Sequence, residues 1–236
     1  IYLRGQSAGV YTGTSWEPLD DAVYEELGDL GGYEPLNFPA LTAAGQDWHA
    51  VTVELTGAPG NCLYVPYSLL TDADELVGGS FVDDSHIQKD FGVGSYTVYY
   101  RPEAEPDHAM RPLEGEAARA EETYRAFVRE HYLEVPEAAA QALYAWAERV
   151  TGLHLEVDDS YRQTVVRDYW AEMEAAWLIA YLLSATTDYD TNVPTMPEGA
   201  DFVDYFLNQS GKGYCMHYAT AATLFFRMIG IPARYV

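Results

Sequence analysis

Near residue 112 the hydrophobic pattern of this chain changes period, from alternation to a helical repeat, so no single secondary-structure class accommodates both halves. Upstream, "HAVTVELTG", "NCLYVPYSLL" and "GSYTVYYRP" alternate apolar and polar residues between turn formers and read as strands. One stretch there, "TSWEPLDDAVYEELGDL", reads as a helix: Pro18 suits a first turn, and Val23, Leu27 and Leu30 recur at helical spacing. Downstream, residues 116–132 and 136–150 read as two helices parted at Pro136, which suits a helix start and breaks a helix interior. A third begins after "DDSYRQ", where Ser160 and Gln163 have the spacing of a capping box. Its apolar face runs through Val166, Tyr169, Trp170, Met173, Trp177, Ala180 and Tyr181, and large aromatics at that spacing predict core. The expected fold class is α+β, with a β-rich domain at residues 1–112 and a mainly helical one at residues 113–236. The stretch "RPEAEPDHAMRPLEG", with three prolines and no period, connects them.

With 236 residues and 48% hydrophobic content, the chain can bury a sizeable core. A formal charge of −24 with two lysines, Lys89 and Lys212, argues against nucleic acid and against an anionic membrane surface as partners. No apolar run reaches the roughly 18 residues of a membrane span, and no signal-peptide pattern opens the chain. Because the first residue is Ile1, the expectation is a piece of a longer protein whose targeting segments lie outside it. The acidic doublets Asp83–Asp84 and Asp158–Asp159 lack the alternating oxygen ligands and distal glutamate of a calcium loop, so turns and helix capping account for them. No metal or cofactor is expected.

Two cysteines remain to be explained. Cys62 lies in strand-like "NCLYVPY" and reads as a packing residue; a Cys62–Cys215 bridge is conceivable from the count, although the two fall in segments of different character. Cys215 stands in "GKGYCMHYATAATLFFRMIGIPARYV", after Gly211 and Gly213, both expected to permit positive φ and a sharp turn. A helix is predicted from Cys215 to about Ile229, stopped by Gly230 with Pro232 beyond. Ala219, Ala222 and Phe226 share the face of Cys215, and the two alanines would let another element pack beneath the thiol. A cysteine in a first helical turn is either a small buried hydrophobe or a thiolate at the positive end of the helix dipole. His217, two residues on, is about 200° around the helix and leaves the opposite side, which predicts a packing or hydrogen-bonding role rather than a general base. One Cys and one His at this spacing lack the further ligands of a zinc site.

The string "DFVDYFLNQSGKGYCMHYATAATLFFRMIGIPARYV" resembles the nucleophile segment of the transglutaminase-like superfamily, particularly bacterial membrane-anchored proteins with an extracytoplasmic core of this type. The likeness is carried by a short helix ending in Phe206 and Leu207, by "KGYC" at Lys212 to Cys215, by the Ala-rich helix, and by "GIPARYV" at Gly230 to Val236. The upstream "YLLSATTDYDTNVPTMPEGADFVDYFL" matches the family's approach to that helix. The resemblance implies a papain-like fold with Cys215 as nucleophile, attacking a protein or peptide amide to give a thioester that an amine or water resolves. It also implies an extracytoplasmic domain at the cell membrane, anchored only through segments outside this chain. In the family a histidine and an aspartate follow on later strands. The chain ends at Val236 and none of its six histidines takes that place, so the expectation is a truncated catalytic core, inactive by itself. "ARYV" would then be a sheet edge, either held by a strand contact or poorly ordered. Two alternatives stay open: a cysteine protease or amidase of the same fold, and a non-catalytic surface module binding protein or glycan through its Tyr-rich β half.

Overall fold

The computed structural model describes residues 2–20, 22–24, 47–56, 62–71, 79–82, 86–89, 94–101, 114–154 and 169–236. The chain divides into two compact units: residues 1–7 and 18–127 with Val236, and Ala8–Glu17 with Val128–Tyr235. The architecture is mixed α and β, with small sheets and helices among the described residues.

In the first unit β1 (Leu3–Arg4) pairs antiparallel with β6 (Val65–Pro66). Two longer strands, β4 (His49–Glu54) and β9 (Ser95–Tyr100), pair antiparallel from His49–Tyr100 to Glu54–Ser95. A three-stranded sheet follows the order β5 (Cys62–Leu63), β8 (His86–Lys89), β7 (Gly79–Val82). Alternation puts Val98 inward while Thr52 and Thr97 bond each other at 2.8 Å outside. Leu63, Val65, Leu69, Ile87 and Val98 form the core, with Val51 and Tyr96 against it. The Tyr96 hydroxyl donates to the Tyr64 carbonyl at 2.8 Å and accepts from its amide at 2.6 Å, pinning the bend between β5 and β6. Of the helix expected around Pro18–Leu30, residues 22–24 are helical; Leu27 and Leu30 lie outside the described residues.

The second unit is helical, apart from the short hairpin β2 (Val10–Tyr11) to β3 (Trp16–Glu17) and the parallel pair β10 (Asp188–Tyr189) with β11 (Lys212–Gly213). Helix α1 (Gly115–His131) crosses the division between the units, and α2 (Glu137–Thr151) starts immediately after Pro136 and ends at Gly152, whose φ is 70°. Helix α3 (Tyr169–Thr186) leads to α4 (Phe202–Asp204), continued by a π-helical turn at Tyr205–Ser210. Helix α5 (Cys215–Met228) closes the unit. Its core joins Leu143 and Trp146 of α2 to Phe206, Leu224, Phe225 and Met228, with Trp146 and Phe225 rings 5.0 Å apart. Gly230 ends α5 with φ 88°: its amide returns to Arg227 O at 3.0 Å and the Ile231 amide to Phe226 O at 2.8 Å, the two bonds of a Schellman motif.

Two expectations are corrected. The stripe read as core on α3 is outside: Trp170, Met173, Trp177 and Tyr181 are 56%, 37%, 72% and 68% exposed, while Leu183 is buried and Ile179 and Leu182 pack on the core. Apolar residues surround "YWAEMEAAWLIAYLLSAT" on every side, so spacing alone left the rotation of the helix undetermined. The helix holding Phe206 and Leu207 does not end there but runs through Ser210, because the first left-handed residue able to stop it is Gly211, φ 62°. Val166, the Ser160–Gln163 box and both acidic doublets lie outside the described residues.

Candidate active site

Cys215 occupies the first position of α5, and its side chain is exposed. Local sequence places it there. Asp201 caps α4, accepting from the Val203 and Asp204 amides at 3.0 Å each, and Gly211 stops the helical run that follows. The chain then runs as β11, where Gly211 and Gly213 carbonyls accept from Asp188 and Asp190 amides at 2.8 Å each. The Lys212 ammonium meets Asp190 at 3.2 Å; the Asn192 amide and then Lys212 hold that carboxyl below its ordinary range. Gly213 does not use positive φ, contrary to expectation. Its need is steric: a Cβ there would lie 2.6 Å from the His217 Cβ and 2.6 Å from Phe206 Cε2. Only glycine lets the strand pass that close to the first turn of α5.

His217 turns away from the thiol into the protein and is 7% exposed. Its ring stacks on Phe202 at 4.5 Å, and its Nδ1 accepts from the Tyr214 amide at 3.3 Å. That bond needs a lone pair on Nδ1, so the imidazole is neutral with its proton on Nε2; burial holds its pKa below the ordinary histidine value. His217 therefore serves as the helix-capping side chain usually supplied by Glu or Gln, which agrees with the packing role expected of it. In this unit neither His131, His154 nor His217 is hydrogen-bonded to Cys215. Among the described residues no three of His, Cys, Asp and Glu gather as metal ligands would.

Ala219, Ala222 and Phe226, on the Cys215 face, are half-buried. The opposite side of α5 is held by residues that sequence reasoning did not single out. Trp16 of β3 donates from Nε1 to Thr220 Oγ1 at 2.9 Å and stacks on Tyr235 at 5.5 Å and 16°. Arg227, 2% exposed, donates to the carbonyls of Ala233 at 2.6 Å, Glu134 at 3.1 Å and Gly9 at 2.7 Å, with its guanidinium 5.2 Å from the Trp16 ring. Tyr11 donates to Asp201 at 3.2 Å and accepts from the Val203 amide at 3.2 Å. Residues 8–17 are thus built into the unit that carries the thiol, a long-range pairing for which local sequence pattern carries no signal. Both cysteines are free thiols, and burial pushes the half-buried Cys62 up to about 11.

Residues 159–236 match the family model described as Transglutaminase-like superfamily, and this span includes Cys215. The whole chain is 25% identical to the uncharacterized protein YebA of Bacillus subtilis (strain 168) over 244 residues, and spans 30% of that protein's length. Two crystal structures of the periplasmic domain of TgpA from Pseudomonas aeruginosa share the fold. The form bound to ethylmercury is 20% identical with a TM-score of 0.57, covering 99% of this chain and 68% of that one. The other is 21% identical with a TM-score of 0.56, covering 99% and 67%.

Proposed function

We propose that the transglutaminase-like core at residues 159–236 makes this protein part of a thiol enzyme that acts on protein or peptide amides outside the cytoplasm, with Cys215 as nucleophile. The observation that carries the reading is the exposed thiol at the first position of a 14-residue helix. There the backbone N–H groups and the positive end of the dipole favour an anion. The Cys215 sulfur attacks the amide carbonyl carbon, the S–C bond forms, and the C–N bond breaks as the leaving nitrogen takes a proton. An amine or water then attacks the thioester and returns the thiol. Base and orienting acid are not assigned to described residues. The extracytoplasmic setting is supported by the two periplasmic domains that share the fold, and no described helix is long and apolar enough to cross a membrane. Membrane anchoring through segments beyond these residues, and a protein or peptide as substrate, complete the proposal.

A second reading, a binding module of the β-rich unit, is favoured by the exposed pair Trp48 and Tyr99, whose rings meet edge to face at 5.3 Å. Labelling separates the two. As a nucleophile, Cys215 reacts with iodoacetamide near neutral pH much faster than Cys62, and Cys215→Ala abolishes the fast phase; equal rates at both thiols would remove the enzyme reading. Incubation with a glutamine peptide, with and without a primary amine, then distinguishes cross-linking from hydrolysis.

A further inference from the structure

Tyr189 stands beside the turn that presents Cys215. Strand β10 runs parallel to β11 with Tyr189 in register with Gly213, two residues before the thiol. The amides of Asp188 and Asp190 bond β11 at 2.8 Å each, and alternation puts Tyr189 on the other face of β10 from those two side chains. That face meets α5: the Tyr189 and Tyr218 ring centroids are 5.8 Å apart at 33°. Tyr218 is three residues after Cys215, a neighbouring position on the helix surface about 60° around from the thiol. Helical side chains lean toward the preceding turn, so the Tyr218 ring flanks the turn that carries Cys215. Its hydroxyl is hydrogen-bonded to Thr187 Oγ1 at 2.8 Å and its ring lies 5.3 Å from that of Phe206, which fixes it in place. Strand register and ring contact thus bring Tyr189 independently to the Cys215 end of α5. Tyr218 is half-buried, whereas Tyr189 is 66% exposed, as the thiol is exposed. A ring backed by a fixed ring and otherwise open to water offers a substrate a flat apolar surface.

We infer that Tyr189 is a specificity-determining residue, whose ring packs on an aromatic group of the substrate next to the carbon that Cys215 attacks. The inference rests on Cys215 being the nucleophile and adds to that reading the class of substrate side chain preferred. Gly213 is two residues from Cys215, at most about 7 Å of chain, and paired strands lie about 4.8 Å apart. The Tyr189 and Cys215 backbones are therefore within about 12 Å of each other, a gap that their two side chains and one or two substrate residues span.

Two alkylating reagents test it, in the chain carrying Cys62→Ala. With either one the Cys215 sulfur attacks the methylene carbon, the S–C bond forms, and iodide leaves with the electron pair of the broken C–I bond. Iodoacetamide carries no ring, whereas iodoacetanilide carries a phenyl group on its amide nitrogen. The rate with iodoacetanilide over that with iodoacetamide, divided by the same ratio for glutathione, isolates what the protein adds for the ring. That quotient is expected to be about threefold to tenfold, the worth of one aromatic pair. Tyr189→Phe should keep it, and Tyr189→Ala should bring it down to about one with the iodoacetamide rate nearly unchanged. If the quotient is already about one with Tyr189 in place, or if Tyr189→Ala leaves it as it was, the assignment of Tyr189 is overturned while the nucleophile stands. It is overturned equally if Tyr189→Ala slows both reagents by the same factor, since Tyr189 then only holds the turn. If, in the chain with both cysteines, Cys215 reacts with iodoacetamide no faster than Cys62, the nucleophile reading falls and the assignment with it.

Discussion

The Tyr214 backbone amide donates to Nδ1 of His217 at 3.3 Å, so a neutral imidazole caps the helix that carries the thiol. The bond is lost when Nδ1 is protonated. Because burial lowers the folded pKa of His217, the unfolded chain takes up this proton first as pH falls, and folding weakens. The stability contributed is fully present above the ordinary histidine value and is lost as pH falls through the depressed one. His217→Asn, whose side-chain oxygen can take the place of Nδ1, is expected to flatten the decline in unfolding free energy between about pH 7 and about pH 5. Denaturant titrations at several pH values check this, and an unchanged slope counts against the cap.

Gly213 tolerates no side chain. A Cβ would overlap His217 and Phe206, both buried, so neither can move aside cheaply. Gly213→Ala is expected to cost about 1–3 kcal/mol, the range for overpacking, and to shift the turn that presents Cys215. Urea unfolding gives the cost; a change in the iodoacetamide rate at Cys215 gives the displacement. A neutral substitution on both counts would show that β11 is free to rearrange.

The sequence was most legible where a local signal fixes local structure. Pro136 opens α2, and Cys215 and Gly230 bracket α5, because start and stop chemistry acts within one turn. Alternation marked β4 and β9 for the same reason. What failed to show were properties of three-dimensional neighbours. Helix α3 is apolar on all sides, so only its contact with the core through Leu183 chooses the inward face, and the aromatic stripe lies outside. Gly213 was legible as a special position, but the reason, contact with His217 and Phe206, is tertiary. The thiol could be read from the motif, whereas Trp16 and Tyr235 meet only after residues far apart in the chain are paired.

Arg227 is the clasp of the second unit, donating to three carbonyls that belong to three separate stretches of chain. Lysine carries the same charge on a single nitrogen and cannot span them. Arg227→Lys should therefore destabilise by about 2–4 kcal/mol, through buried carbonyls left unsatisfied and lost contact with the Trp16 and Tyr132 rings. Thermal unfolding would show it. If Arg227→Lys proves as stable as the parent, charge rather than fork geometry holds the three segments.

The chain's last residues were expected to be either held by a strand contact or poorly ordered, and they have an intramolecular contact: Tyr235 and Ala8 exchange both backbone bonds, at 3.1 and 2.9 Å. The Ala233 amide adds a bond to Tyr132 O at 3.1 Å. Hydrogen exchange on a dilute sample should accordingly protect the Ala233 and Tyr235 amides, with protection unchanged on further dilution, since both bonds are made within one chain. Deleting residues 2–9 removes the Ala8 partner and the Gly9 carbonyl that Arg227 holds, so Tyr235 should then exchange rapidly. Rapid exchange at Tyr235 in the intact chain would mean that the Ala8 pairing is not kept in solution.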